Sequence, residues 1–253
     1  MHTAERDARP AIVFLHGILG ADVIRKAWPG FRYFRGIRKS LDTAEASLHF
    51  PLTPSASSIA NRASVLRRFI GQLEARHIHL VAHSMGGLDA RYLVHHFDPE
   101  HRIRSLTTIG SPHRGSELVH WVDSTRGLVQ SFARHLLYPG ILELTPQACA
   151  QFNRDIPDRA DVRYRSWAGC RPAGEMPLLY RKQTRLLQQQ SGDNDSQVSV
   201  ASAKWGEYMG TVRADHLELV GWSLGLPKKR IQRPFDHAAF FQSLVNGILH
   251  PEP

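Results

Sequence analysis

The chain has 253 residues, of which 42% are hydrophobic and 22% charged, a size and composition typical of one globular α/β domain spanning residues 1–253. Its net charge is +9, but no nucleic-acid-binding motif accompanies the scattered basic residues. We therefore favour a solvated basic surface over attraction to lipid headgroups or nucleic acid. No apolar run approaches the roughly 20 residues that span a bilayer, and the first residues lack the apolar core of a secretory signal. We therefore expect a cytoplasmic protein without a transmembrane segment, or a secreted one if a leader has been removed.

The first predicted element is a β-strand at residues 11–15, a continuous apolar run that ends at His16 and Gly17. Such a run suits a strand buried on both faces of a parallel sheet. The loop that follows lies at the carboxyl end of this strand, the edge of open α/β sheets where ligands bind. Residues 47–52 are a candidate second strand. Apolar residues then recur at helical spacing and predict an amphipathic helix: Ile59, Ala63, Leu66, Ile70 and Leu73.

A strand, a tight turn and a helix are predicted around Ser84. The apolar run at 78–81 stops at small residues, and a helix-compatible segment follows at 88–97. Ala82 and Gly86 stand two positions before and after the serine, where a strained turn requires small residues. This pattern is the nucleophile elbow of an α/β-hydrolase, with alanine in place of the usual first glycine. The pentapeptide alone is common, so the interpretation depends on the elements around it.

The elements downstream extend the alternation of strands and helices. Further strands are predicted at 106–109, 162–168 and 208–212, and a closing helix at 235–249. This order predicts an α/β-hydrolase fold with a mostly parallel central sheet of about six strands and helices on both faces.

The segment at about 116–160 interrupts that alternation. Its apolar residues fall at helical spacings with charged residues between them: Leu118, Trp121, Val122, Leu128, Val129, Phe132, Leu136 and Leu137. Core packing explains some of them, and a helical lid with an apolar inner face explains the pattern as a whole. We expect a lid insertion here.

A serine hydroxyl needs a base to take its proton and an acid to orient that base. In α/β-hydrolases the chain order is serine, acid, histidine. The turn after the predicted strand at 162–168 offers Asp193 and Asp195, and spacing does not choose between them. Among the 15 histidines, His216 follows the last predicted strand. His237 competes with it but stands at the start of a predicted helix.

The chain resembles the bacterial true lipases, the triacylglycerol lipase family of Pseudomonas and Burkholderia type. Five motifs carry the resemblance in order: residues 12–18, 82–87, 106–116, 193–195 and 201–217. The resemblance implies a catalytic triad of Ser84, Asp195 and His216. It also implies an oxyanion hole formed by the backbone amides of Ile18 and Met85, whose side chains would then line the acyl pocket. His83, beside the nucleophile, is interpreted as structural, with its side chain directed away from the oxyanion.

The larger secreted members of that family bind a structural calcium through an aspartate two residues after the catalytic histidine and a glutamine four residues further along. Here those positions hold Glu218, which is able to bind calcium, and Trp222, which is not. We therefore expect no cofactor and no metal site, with a structural calcium at Glu218 as the less favoured alternative. The two cysteines, Cys149 and Cys170, show no metal-site spacing, and the sequence does not decide between a disulfide and two thiols.

The resemblance implies a serine carboxylester hydrolase that forms an acyl-enzyme on Ser84 and acts on acyl esters or lipids, including those at an interface. Two alternatives use the same chemistry: a short-chain esterase and an intracellular polyester depolymerase acting on polyhydroxyalkanoate. A non-catalytic binding protein of the same fold is the rival from a different class. The full set of serine, acid and histidine argues against it.

Overall fold

The computed structural model describes residues 9–18, 30–41, 44–55, 57–119, 140–223 and 235–251. Its six strands form one sheet in the order β2-β1-β3-β4-β5-β6, and every neighbouring pair is parallel. The predicted sheet is thus confirmed. The strands are β1 Ala11–Leu15, β2 Ser47–His49, β3 Ile78–His83, β4 Ile103–Ile109, β5 Arg163–Gly169 and β6 Glu207–Val212.

Helices of the described residues connect and cover these strands. They are α1 Ile37–Ser40, α2 Ile59–Gly71, α3 Gly86–Phe97, α4 Pro146–Asp155, α5 Leu178–Ser191, α6 Val200–Ala203 and α7 His237–Leu249. Short 3₁₀ turns occupy Ala173–Glu175 and Glu218–Val220. Side-chain oxygens of Ser58, Thr145 and Asp236 accept a backbone N–H of the first turn at α2, α4 and α7, as preferred N-cap residues do.

The burial of strand β1 on both faces explains why its sequence is apolar without alternation. Ile12 and Phe14 pack in the cluster that α7 covers, whereas Ala11, Val13 and Leu15 pack against α2 and α3 on the opposite face. Successive side chains of a strand point to opposite faces, and here both faces are covered. Each of the larger side chains gains roughly 1.5–3 kcal/mol from such burial.

Several predicted boundaries differ from the structure; β4 begins at Ile103 instead of residue 106, and α7 begins at His237 instead of residue 235. Strand β2 ends at His49 instead of residue 52, and Pro51, which has no backbone N–H, would interrupt its pairing. Helix α3 begins at Gly86, two residues before the predicted start, so it follows the serine almost directly.

The predicted lid is described only in part. Its residues 120–139, which include Trp121, Phe132 and Leu137, lie outside the described residues. The described part contains α4 and the turns that precede it. No helix in the described ranges is long and apolar enough to cross a membrane.

Candidate active site

Ser84 occupies the tip of the turn between β3 and α3. Its φ of 57° is left-handed, a strained conformation for a residue other than glycine. The turn is held at both ends: the Ser84 N–H donates to the Ile109 carbonyl at 3.1 Å, and the Gly87 N–H donates to the Ser84 carbonyl at 3.0 Å. A Cβ on Gly86 would lie 2.7 Å from the Leu15 carbonyl oxygen. The turn therefore needs glycine there, because it passes against the end of β1.

A continuous chain of hydrogen bonds joins three of the predicted residues. Ser84 Oγ lies 3.0 Å from His216 Nε2, and His216 Nδ1 lies 2.7 Å from Asp195 Oδ2. All three side chains are buried. With Nδ1 protonated and donating to the carboxylate, Nε2 is free to accept the serine proton. The structure therefore brings the three residues of the predicted triad together in one buried hydrogen-bonded chain.

Asp195 is positioned by the backbone around it. Its Oδ1 accepts the N–H groups of Gln197 and Val198 at 2.9 and 2.8 Å, which leaves Oδ2 for His216. The His216 N–H also donates to the Asp195 carbonyl at 2.8 Å. The loop after β5 and the loop after β6 are thus joined through backbone and side chain together.

The two competing residues lie elsewhere. Asp193 is exposed, and its carboxylate accepts a long 3.4 Å hydrogen bond from Gln188. His237 begins α7, and its Nε2 lies 3.0 Å from the Arg35 carbonyl oxygen. Neither residue forms part of the hydrogen-bonded chain at Ser84.

The loop after β1 passes directly over the serine. A Cβ on Gly17 would lie 2.6 Å from Ser84 Cβ and 3.0 Å from Ser84 Oγ, so only glycine allows this approach. Ile18 follows it, and Met85 stands at the N-terminus of α3, where backbone N–H groups have no partner within the helix. The Ile18 and Met85 side chains are buried in one apolar cluster.

A buried ion pair that the sequence reasoning missed supports this loop. Arg62 Nε donates to Asp89 Oδ2 at 2.8 Å, and Arg62 Nη2 donates to the His16 carbonyl at 2.7 Å and more weakly to that of Gly17 at 3.4 Å. Burial raises the pKa of Asp89 to about 6, against the opposing charge of Arg62. In the sequence, this ion pair is indicated only by the position of Arg62, which lies on the apolar face of a predicted helix, one residue before Ala63.

His16 helps to orient the same peptide. Its Nε2 accepts the Thr53 N–H at 2.9 Å, so Nδ1 carries the proton and donates to the Gly17 carbonyl at 2.8 Å. The C=O and N–H of a trans peptide point in opposite directions. Holding the Gly17 carbonyl therefore fixes the direction of the Ile18 N–H.

His83 packs beside His216. Its ring centroid lies 4.5 Å from that of His216, and its Nδ1 lies 2.7 Å from the Tyr33 hydroxyl. Burial lowers the pKa of His83 well below its usual value, with a smaller contribution from His216. His83 is therefore neutral, and its ring forms part of the wall behind His216, a contact absent from the sequence interpretation.

The residues considered for calcium have other partners. Glu218 Oε2 is 2.8 Å from Arg171 Nη2 in a buried ion pair, and the Trp222 indole donates to the Tyr33 carbonyl at 2.9 Å. The described part of the chain contains no group of three or more His, Cys, Asp or Glu residues that could hold a metal ion. Cys149 and Cys170 are both free thiols.

Comparison with known proteins identifies a matching family and several similar proteins. Residues 10–235 match the family described as alpha/beta hydrolase fold. The chain is 32% identical to triacylglycerol lipase 2 of Saccharomyces cerevisiae, covering 85% of this chain and 68% of that protein. It is 28% identical to a triacylglycerol lipase of Pseudomonas fragi, covering 89% and 92% respectively. The crystal structure of a metagenomic carboxyl esterase superposes with a TM-score of 0.77 at 20% identity, over 95% of this chain and 76% of that one. That structural likeness shows a shared fold.

Proposed function

Because the chain belongs to the α/β-hydrolase fold family and is a serine carboxylester hydrolase, we propose that Ser84, His216 and Asp195 are its catalytic triad. The observation that supports this assignment is the chain of hydrogen bonds at 3.0 and 2.7 Å. It ends on a serine at a strained turn, the position of the nucleophile in this fold.

The first half of the reaction forms the acyl-enzyme. His216 Nε2 takes the hydroxyl proton as Ser84 Oγ attacks the ester carbonyl, and Asp195 holds the imidazole in the required tautomer. The oxyanion is bound by the backbone N–H groups of Ile18 and Met85. One such donor typically contributes on the order of 3 kcal/mol to the stability of the transition state.

The second half releases the acid. It begins once His216 has donated the Ser84 proton to the alcohol, which leaves as the acyl-enzyme forms. Water then enters as the nucleophile, and His216 accepts a proton from it and returns that proton to Ser84 Oγ. Attack by water on the acyl carbonyl passes through the same oxyanion site. The carboxylic acid leaves when the Ser84 hydroxyl is regenerated.

We propose acyl esters of the lipase type as substrates, as the names of the yeast and Pseudomonas relatives suggest. The apolar cluster at the proposed oxyanion side supports this choice, since Ile18 and Met85 share it with Val119 and Leu144 from the segment at 116–160. A Cβ on Gly140 would lie 3.0 Å from Ile18 Cδ1 and 3.3 Å from Met85 Cε. In this proposal the segment is a lid, and its displacement opens an acyl site beside these two side chains. We also propose that the chain belongs with the lipases of Pseudomonas and Burkholderia type.

Covalent labelling with a fluorophosphonate probe tests the nucleophile. We expect the wild-type chain to be labelled and Ser84→Ala to remain unlabelled. Ser105→Ala is the matched control, because Ser105 also contacts a histidine, with its Oγ 2.8 Å from His79 Nδ1, but lies within β4. The proposal would be overturned by a folded wild-type chain that is not labelled, or by a Ser84→Ala variant that still is.

A hydrolysis profile tests the substrate class. Nitrophenyl esters of increasing acyl length and emulsified triacylglycerol would be compared under the same conditions. We expect activity to extend to long acyl chains and to the emulsion. Activity confined to short soluble esters would contradict the lipase proposal and favour a short-chain esterase.

A further inference from the structure

The proposed acid and base lie on two separate loops that must keep a fixed spacing. Asp195 belongs to the long connection after β5, and His216 follows β6 by four residues. Arg171 stands two residues after β5, and its N–H donates to the Asn194 carbonyl at 3.2 Å. It therefore belongs to the acid side of the site. Its side chain is fully buried, although arginine is among the residues least often found inside proteins.

On the base side, His216 lies within a closed turn built by two carboxylates. Asp215 Oδ1 accepts the N–H groups of Leu217 and Glu218, both at 2.9 Å, and Glu218 Oε2 accepts the Asp215 N–H at 2.9 Å. This reciprocal arrangement is a capping box at the start of the Glu218–Val220 turn. The direction of the His216 side chain therefore depends on where these two carboxylates are held.

Arg171 connects the two sides. One nitrogen, Nη2, lies 2.8 Å from Glu218 Oε2 and donates to the Arg213 carbonyl at 2.9 Å. Both contacts reach the chain on the His216 side. Two buried carboxylates so close together repel each other, and burial together with the Glu218 charge raises the pKa of Asp215 to about 6, with Arg171 opposing the rise. The guanidinium thus supplies the positive charge that this pair of acids requires.

We propose that Arg171 is a positioning residue for His216. Its guanidinium holds the His216 turn against the Asp195 loop and so keeps the imidazole aligned between Ser84 and Asp195. This inference rests on the proposed function of the triad. Small displacements at such a site matter, since a misplacement of about 1 Å can lower the rate on the order of 100-fold. An ion pair that only stabilised the fold would affect melting and leave turnover unchanged.

Two substitutions of Arg171 separate these roles. We expect Arg171→Met to lower kcat on a short soluble nitrophenyl ester by tenfold or more, with KM within twofold, at a temperature well below melting. Arg171→Lys should recover most of the loss, because a single nitrogen makes both contacts. Arg163→Met is the control, since its guanidinium pairs with Glu207 at an exposed site away from His216, and it should retain wild-type kcat. A folded Arg171→Met variant with kcat within twofold of wild type would overturn the inference.

A spectroscopic readout makes the test independent of turnover. We expect the proton between His216 Nδ1 and Asp195 Oδ2, which lie 2.7 Å apart, to give a low-field proton NMR signal in the wild-type chain. Arg171→Met should lose or shift this signal, and Arg171→Lys should keep it. An unchanged signal in Arg171→Met would contradict the inference. If that variant does not fold, Glu218→Gln serves instead, because it keeps an oxygen for the Asp215 N–H but removes the charge that Arg171 binds. The same loss of signal and of kcat is expected, and wild-type values would overturn the inference.

These measurements also distinguish failure of the inference from failure of the proposed function. If the wild-type chain is not labelled at Ser84 by the fluorophosphonate probe, the proposed function fails, and the NMR comparison still decides whether Arg171 positions His216. If the wild-type chain is labelled and Arg171→Met is labelled equally fast, the proposed function stands and the inference fails.

Discussion

Asp193 and Asp195 stand two positions apart but differ in burial and in hydrogen bonding. Asp195 is buried and receives two backbone N–H groups, whereas Asp193 is exposed. We expect Asp195→Asn to keep the fold and lower kcat by about four orders of magnitude, because an amide at this position favours the wrong histidine tautomer. Ester hydrolysis and circular dichroism would measure the two effects.

Asp193→Asn is the matched control and should retain nearly all activity. The reverse result, with Asp193→Asn inactive and Asp195→Asn active, would show that the acid has been assigned to the wrong residue.

Asp215 provides a pH-dependent prediction. Burial, and then the Glu218 charge, raise its pKa to about 6 in the folded chain, above the value of about 3.9 for an unfolded chain. The folded chain therefore binds the proton more tightly, and this group lowers the free energy of unfolding as the pH rises from about 4 to about 6. We expect the free energy of unfolding of the wild type, relative to Asp215→Asn, to fall over that range by on the order of 2 kcal/mol.

Urea unfolding at several pH values measures this difference. Asparagine can still accept the Leu217 and Glu218 N–H groups through its side-chain oxygen, so the comparison isolates the charge. A stability difference that stays constant between pH 4 and 7 would contradict the prediction.

The sequence predicts Ser84, Asp195 and His216 as a triad because each lies in a motif of the family that the chain resembles, and the resemblance, not the spacing, favours Asp195 over Asp193. The sequence could not identify Arg62 or Arg171 in the same way. Each arginine acts through a partner distant in sequence, Asp89 for the first and Glu218 for the second. Such pairs follow from the three-dimensional packing of helices and loops, which spacing along the chain does not reveal.

At the scale of elements, the elbow depends on close contact between α3 and the end of β1. A Cβ on Gly86 would lie 2.7 Å from the Leu15 carbonyl oxygen and 2.9 Å from that of His16. Both neighbours are backbone atoms that cannot move aside cheaply. We expect Gly86→Ala to displace the start of α3, lower the melting temperature and reduce ester hydrolysis strongly.

Gly71→Ala is the control for the effect of the added methyl group. Gly71 ends α2, and no atom lies within 4 Å of its added Cβ, so this change should be neutral or stabilising by up to about 1 kcal/mol. Thermal unfolding of both variants tests the difference. Equal melting temperatures for Gly86→Ala and Gly71→Ala would show that the elbow tolerates a side chain at this position.

Periodicity predicted the elements well where packing is simple. The apolar face of α2 and the continuous apolar run of β1 are both explained by the two clusters on either side of the sheet. The end of β2 was less predictable, because apolar residues continue beyond His49 while Pro51 removes a backbone donor. A hydrophobic pattern alone does not show where backbone pairing stops.

For the whole molecule, the order of strands in the sheet was beyond the sequence. In the sheet, β1 has β2 on one side and β3 to β6 on the other. Ligand sites of open α/β sheets lie at the carboxyl ends of strands where this order reverses. Gly17, Ser84 and His216 follow β1, β3 and β6 respectively, so one edge of the sheet gathers residues that are far apart in the sequence.

The ion pair between Arg171 and Glu218 leads to a prediction about metal dependence. A calcium ion at Glu218 would have to displace the Arg171 guanidinium, and Glu218 Oε2 also accepts the Asp215 N–H. Removing a buried cation from its carboxylate is strongly unfavourable, on the order of 3–5 kcal/mol. We expect the melting temperature of the full chain to be the same within about one degree in a chelator and in added calcium, since a ligand that binds only the folded state would raise it.

Magnesium at equal ionic strength controls for general salt effects. A rise of several degrees with calcium alone would contradict the prediction. If the ion then replaces Arg171 at Glu218, Arg171→Met should bind calcium more tightly than the wild type.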